Sequence, residues 1–293
     1  MPSLDDLRKR IVSVKSTQKI TKAMKMVAAA KLRKAQESAE KGRPYSEKMQ
    51  NIILNLTESI SDPQNAPKLL VGTGKEQTHL CVVMTSDRGL CGGFNSNICR
   101  LAKKYFEKIL KEQKNLKIIT VGSKGHDQLK REYGKYIIKK LSFKNKKKIS
   151  FLEADEVGKL ILDLFDKNEF DKCILFFNNF KNVMTQIPEA QQIIPTEVKK
   201  YSKKNEEIFY EFEPDEDEIL EDLLPKNIST QVFKAFLENS ASEQGSRMTA
   251  MDSATRNAGD LVNKLTINYN RSRQAVITKE LIEIISGAES LYL

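Results

Sequence analysis

The chain has 293 residues, 40% of them hydrophobic and 30% charged, which is enough apolar material for one large domain or two smaller ones. A net charge of +10, from 49 basic and 39 acidic side chains, suits an anionic partner (nucleic acid, membrane surface or acidic protein) or simply a basic, soluble surface. The cysteines Cys81, Cys91, Cys99 and Cys173 form no CxxC pair and only His79 and His126 accompany them, which argues against a structural zinc site and a secreted disulfide framework; no stretch approaches the roughly 20 apolar residues of a membrane span.

The N-terminus, MPSLDDLRKRIVSVKS, lacks the apolar core of a signal peptide. From Ser3 to about Ser59 only Gly42 and Pro44 interrupt a helical pattern. Ser3 with Asp5 and Asp6 reads as an N-cap followed by acids in the first turn. Leu4, Leu7, Ile11 and Val14 alternate three and four apart, the spacing of a coiled coil. The stripe then drifts to Ile20, Met24 and Val27, with the small residues Ala28, Ala29 and Ala30 beside it. A helix of roughly 57 residues extends about 85 Å, far longer than a compact domain needs.

SDPQNAPKLLVGTGK, from Ser61 to Lys75, reads as a linker. Alternating units follow. LCVVMTS is a strand, Asn95 to Gln113 a helix, LKIITVG a strand and Lys124 to Tyr133 a helix. YIIKKLS reads as a strand, Leu152 to Lys167 as a helix and KCILFFNNF as a strand, while QQIIPTEV is an edge strand because Pro195 cannot donate to a ladder. Such alternation predicts an open, largely parallel α/β sheet. The basic run KKLSFKNKKK, Lys139 to Lys148, lacks interleaved stacking aromatics and reads as a solvated loop.

FEPDEDEILEDLLP is an acid-rich helix start. Beyond Pro225 the helical pattern runs almost unbroken to the end, with Ala258, Leu261 and Leu265, then Ile277, Leu281, Ile284 and Ala288, again three and four apart. Neither terminal helix can bury its stripe alone, so the two are expected to pair as an antiparallel coiled coil around an inserted α/β domain. The expected divisions are 1–60, 76–198 and 214–293.

SDRGLCGGFNSN, Ser86 to Asn97, sets three glycines between a strand and a helix, where a backbone can cradle phosphate. It fits neither G-x-G-x-x-G nor the P-loop pattern, and no acidic residue stands about 20 positions on at a strand end. Gly89, Gly92 and Gly93 therefore read as a tight structural turn, with Asn95 or Ser96 capping the next helix. Asp87 and Arg88 are open between a local ion pair and a partner contact.

ITKAMKMVAAAKLRKAQ, SDRGLCGGFNSN, SEQGSRMTAMDSATRNAG and NRSRQAVITKELIEIISGAESL, in that order and spacing, resemble the gamma subunit of F-type ATP synthases across the whole chain. The resemblance implies an antiparallel coiled coil of the terminal helices with a Rossmann-like domain that is not known as a catalytic nucleotide site. It implies a rotor that makes and breaks no bond and carries no cofactor or metal. Its partners would be three alpha and three beta subunits, epsilon, delta and the membrane c-ring, on the cytoplasmic face of a bacterial inner membrane.

The resemblance also marks Arg273 and Gln274, and beside them Thr278, Glu280 and Met24, as contacts to the beta ring; by spacing alone these are solvated helix positions or, for Met24, coiled-coil packing. The chain departs from the family in Gly245-Ser246, where small alanines are usual and a mid-helix glycine softens the helix. It also lacks the cysteine-bearing insertion of chloroplast relatives. Two other functions stay open at this stage: a nucleotide sensor using Gly89–Gly93, and a coiled-coil scaffold carrying nucleic acid on Lys139–Lys148.

Overall fold

A computed structural model describes residues 3–59, 67–146, 150–196 and 216–289. Its tertiary contacts divide the chain into two compact units, Met1–Ala28 with Arg247–Leu293, and Ala29–Ser246. Helices α1 (Leu4–Ser59) and α6 (Glu216–Glu289) each contribute to both.

In the first unit, Ser3 caps α1 as its sequence predicts, the Asp6 amide donating to Ser3 Oγ at 3.2 Å. The two helices run antiparallel: Lys25 meets Asp252, Thr21 Oγ1 receives a 2.8 Å bond from Thr255, and Gln18 packs over Gly259. The seam on α1 is a strict heptad of Leu4, Leu7, Ile11, Val14, Gln18, Thr21, Lys25 and Ala28, all buried or half-buried. Here the expected drift is corrected. Ile20 and Val27 stand 57% and 56% exposed, and Met24 is half-buried at the edge of the seam. A supercoiled pair holds a 3.5-residue period even where the next seam position is polar. On α6 the seam is Met251, Thr255, Ala258, Val262, Leu265, Tyr269 and Ser272, so Leu261 lies outside it. This register brings Leu4 level with Arg273. Ile277, Leu281, Ile284 and Ala288 lie beyond the end of α1 and are exposed, so the expected pairing stops before them.

The second unit is a five-stranded sheet in the order β3-β2-β1-β4-β5. The strands are β1 (Thr78–Met84), β2 (Asn115–Val121), β3 (Ile137–Leu141), β4 (Lys172–Phe180) and β5 (Gln186–Ile194). All neighbours are parallel except β5, the antiparallel edge strand that its proline signals; Pro195 follows its last residue and Pro188 lies within it. Helix α2 (Lys68–Val71) precedes β1, and between the strands come α3 (Phe94–Lys111), α4 (Ser123–Tyr133) and α5 (Phe151–Asp166).

Alternation along β1 explains why its whole run is apolar. Leu80, Val82 and Met84 face a core closed by α5 and by Ile228, Val232 and Phe236 of α6. Cys81 and Val83 face the opposite core, where Phe106 of α3 packs edge-on against Tyr133 and Phe176 with ring centroids 5.2 and 6.1 Å apart. A third cluster joins Met49, Ile53 and Leu56 of α1 to Leu220 and Leu224 of α6. Helix α1 passes through Gly42 and Pro44 without ending, and α6 through Pro225. Lys139 and Lys140 of the basic run lie in β3, and its residues 147 and 148 lie outside the described residues, as do residues 197 and 198 of the expected edge strand.

Candidate functional site

The glycine loop after β1 is filled from within. The Ser86 amide donates to Asn95 Oδ1 at 2.9 Å, Ser86 Oγ to the Arg88 carbonyl at 2.6 Å, and Asn95 Nδ2 to Ser86 Oγ at 2.9 Å and Cys91 Sγ at 3.2 Å. Ser246 Oγ of α6 donates to the Cys91 carbonyl at 2.6 Å. Asn95 is therefore an internal strut and not a helix cap: α3 begins at Phe94, with Gly93 before it. The left-handed residues of the turn are Leu90 (φ 63°) and Gly92 (φ 55°), while Gly93 is at φ −82° and a Cβ added at Gly89 would meet Lys124 at an ordinary 3.9 Å. Leu90 in that conformation carries local strain that motif reading did not reveal.

Asp87 makes no ion pair with Arg88 among the described contacts. Its carboxylate accepts bonds from the Ser123 amide and Oγ at 2.9 and 2.8 Å, from Ser142 Oγ at 2.7 Å and from the Phe143 amide at 3.0 Å. Burial alone raises such a carboxyl; the four donors outweigh it and hold Asp87 below its usual range. Asp87 thus ties together the loops that follow β1, β2 and β3. The turn after β2 depends on Gly122, at φ 97°, where a Cβ would lie 2.2 Å from the Thr85 carbonyl oxygen.

A Cβ at Gly245 would make ordinary contacts with Phe180 at 3.4 Å and Gln186 at 3.5 Å, beside the turn joining β4 and β5. The helix is continuous through it.

In the other unit, Arg273, Gln274, Thr278 and Glu280 are all exposed on the part of α6 that extends past Leu4, and Thr278 Oγ1 bonds back to the Gln274 carbonyl at 2.9 Å. Around them stand Val276, Ile277, Leu281, Ile282, Ile284 and Ile285, the last two 68% and 63% exposed. Met24 does not join this group: it lies 20 residues along α1 from Leu4, about 30 Å from the level of Arg273 at 1.5 Å per residue. No helix among the described residues is long and apolar enough to cross a membrane, and no cluster of His, Cys, Asp or Glu there has the makings of a metal site.

A helix end with this much exposed apolar surface has the character of an interaction surface. A family profile described as ATP synthase matches residues 3–291. The ATP synthase gamma chain of Pelagibacter ubique (strain HTCC1062) is 71% identical over 291 residues, 99% of this chain and 100% of that protein. The gamma chain of Rhizobium leguminosarum bv. trifolii (strain WSM2304) is 56% identical, again over 99% of this chain and 100% of that protein. Among solved structures, a chain in the cryo-EM structure of the Tetrahymena thermophila mitochondrial ATP synthase central stalk and c-ring matches with TM-score 0.60 and 28% identity, covering 80% of this chain and 99% of that one. A chain of the Euglena gracilis mitochondrial ATP synthase shares the fold at TM-score 0.68 and 20% identity, over 98% and 94% of the two chains. The chain belongs to the ATP synthase gamma-chain family.

Proposed function

We propose that this chain is the central rotor shaft of a proton-translocating F-type ATP synthase. It turns with the membrane c-ring and drives the beta-subunit sites through their nucleotide cycle, while itself catalysing nothing. It stands within three alpha and three beta subunits, with epsilon beside it and delta elsewhere in the complex, peripheral to the cytoplasmic face of a bacterial inner membrane. Segments 1–60 and 214–293 act as the shaft and 76–198 as its α/β body.

The observation that carries this reading is the end of α6, where Leu281, Ile282, Ile284 and Ile285 stand exposed beyond Leu4, in a chain so similar to gamma chains. Arg273 and Gln274 are the proposed donors to carboxylates of the beta ring, with Thr278 and Glu280 on the same segment and Met24 serving a separate contact further along the coil. A charge-assisted bond from Arg273 contributes about 1.5–3 kcal/mol, enough to shape one dwell and weak enough to break each turn. Changing Arg273→Leu with Gln274→Leu should lower ATP-driven proton pumping in membranes whose complexes remain assembled. Wild-type turnover and pumping in that variant would remove both residues from the contact.

A further inference from the structure

Strand β1 stops pairing with β4 at Val83 and Phe176, yet β4 continues to Phe180. Beyond that point the edge of β4 that β1 has left is read by side chains from the long helices. The Asn178 amide donates to Asn239 Oδ1 at 2.8 Å, and its carbonyl accepts from Ser242 Oγ at 3.2 Å. The Phe180 amide donates to Glu238 Oε2 at 3.0 Å, and its carbonyl accepts from Arg43 Nη2 at 3.2 Å. Arg43 also pairs with Glu238 itself, Nε to Oε1 at 2.8 Å and Nη2 to Oε2 at 3.2 Å. Asn239 Nδ2 donates to the Met84 carbonyl at the end of β1, 3.0 Å away. The Glu238 side chain is only 3% exposed, so its charge depends on Arg43 for compensation.

Apolar contact between helices and sheet resists separation, but it is non-directional and permits sliding and rolling. Hydrogen bonds to a fixed strand backbone are directional and resist both. Building on the rotor reading above, we propose that Arg43, Glu238, Asn239 and Ser242 form the joint through which turning force passes between the α/β body and helices α1 and α6. They are positioning residues: they touch no nucleotide and act by fixing the rotation of α6 about its own axis against β4.

The test uses the assembled ATP synthase carrying this chain, anchored through its alpha and beta subunits with a bead on the α/β body. Its angular fluctuation reports torsional stiffness, and proton pumping per ATP hydrolysed is measured on the same membranes. Arg43→Met should lower stiffness by about two-fold, since it removes the donor to the Phe180 carbonyl and the partner of the Glu238 carboxylate, and should lower pumping per ATP. Arg43→Lys, which keeps the charge, should fall between Arg43→Met and wild type. If the Arg43→Met complex does not assemble, Ser242→Ala decides, with a smaller loss of stiffness expected. Wild-type stiffness in the deciding variant would overturn the joint. A wild-type complex whose bead never rotates on ATP would instead overturn the rotor reading, so the two failures are distinct.

Discussion

Lys25 Nζ lies 2.5 Å from Asp252 Oδ1 across the coiled-coil seam, and Arg256 reaches the other oxygen of the same carboxylate at 3.2 Å. With Thr21, Thr255 and Gln18 this makes a polar stretch in an otherwise apolar contact. Polar seam positions cost stability but specify which residues pair, because a slipped register leaves each without its partner.

The Lys25 ammonium, ahead of the opposing effect of burial, holds the Asp252 carboxyl below its usual range. A depressed carboxyl contributes stability above the ordinary carboxylate range and loses it as pH falls through the depressed value. Lys25→Glu should therefore lower the melting temperature at neutral pH, and the swap Lys25→Glu with Asp252→Lys should recover most of the loss. At pH values acidic enough to protonate Asp252, Lys25→Ala should differ little from wild type. Equal losses at both pH values would show that the pair does not act through charge.

Gly122→Ala should be among the most damaging small substitutions in the α/β body. It combines a left-handed backbone with a collision against the Thr85 carbonyl, so a loss on the order of 3 kcal/mol or more is expected in denaturant unfolding. Gly287→Ala, on the exposed part of α6 where a Cβ meets nothing, should instead stabilise its helix by roughly 0.5–1 kcal/mol. A mild effect at Gly122 would mean that the turn after β2 can relax.

The contrast between these glycines shows what sequence reading reaches. Strand-and-helix alternation, the buried run of β1 and the pairing of the chain ends follow from local periodicity, and they were legible. The seam beyond Val14 was not, because an apolar scan leaves the heptad where Gln18, Thr21 and Lys25 occupy it and settles on Ile20 and Val27 instead. The joint on β4 was also hidden. Arg43 and Glu238 are 195 positions apart, and their partners are backbone groups of Phe180, which carry no residue signature. Glycines drew attention to SDRGLCGG, while Asp87 within it, the residue that ties three loops together, stood open between an ion pair with Arg88 and a partner contact, because its donors lie 36 to 56 positions away.

Asp87→Ala should destabilise the α/β body by about 1.5–3 kcal/mol, the range for hydrogen bonds to a charged group, with Asp87→Asn intermediate because one oxygen still accepts. Its depressed carboxyl makes the wild-type advantage present at neutral pH and lost as pH falls through and below the usual aspartate range. Unfolding curves of wild type and Asp87→Ala across that range should converge in acid; a constant gap would assign the loss to packing.

Cys91→Ser should preserve both folding and coupling. The serine hydroxyl can still accept from Asn95 Nδ2, and the Cys91 carbonyl that receives Ser246 is backbone. Ser246→Ala should cost about 1 kcal/mol, the net worth of one intramolecular hydrogen bond. Loss of ATP-driven pumping in a normally folded Cys91→Ser complex would give that thiol a role beyond structure.

Past Leu4 of its partner, α6 continues from Arg273 to Glu289 as a single strand of helix about 24 Å long, with its isoleucines facing water. Helices of this length are marginal by themselves, because propagation barely offsets the entropy of ordering each residue. In the free subunit, amide protons of this segment should exchange with solvent far faster than those between Met251 and Ser272. On the rotor reading proposed above, burying the isoleucines within a collar of other subunits would supply the missing free energy, so winding of this end and entry into the complex would be a single coupled event. Part of the apparent affinity of assembly would then go into helix formation. A substitution that raises helix propensity here should tighten the association even if its side chain never touches the collar.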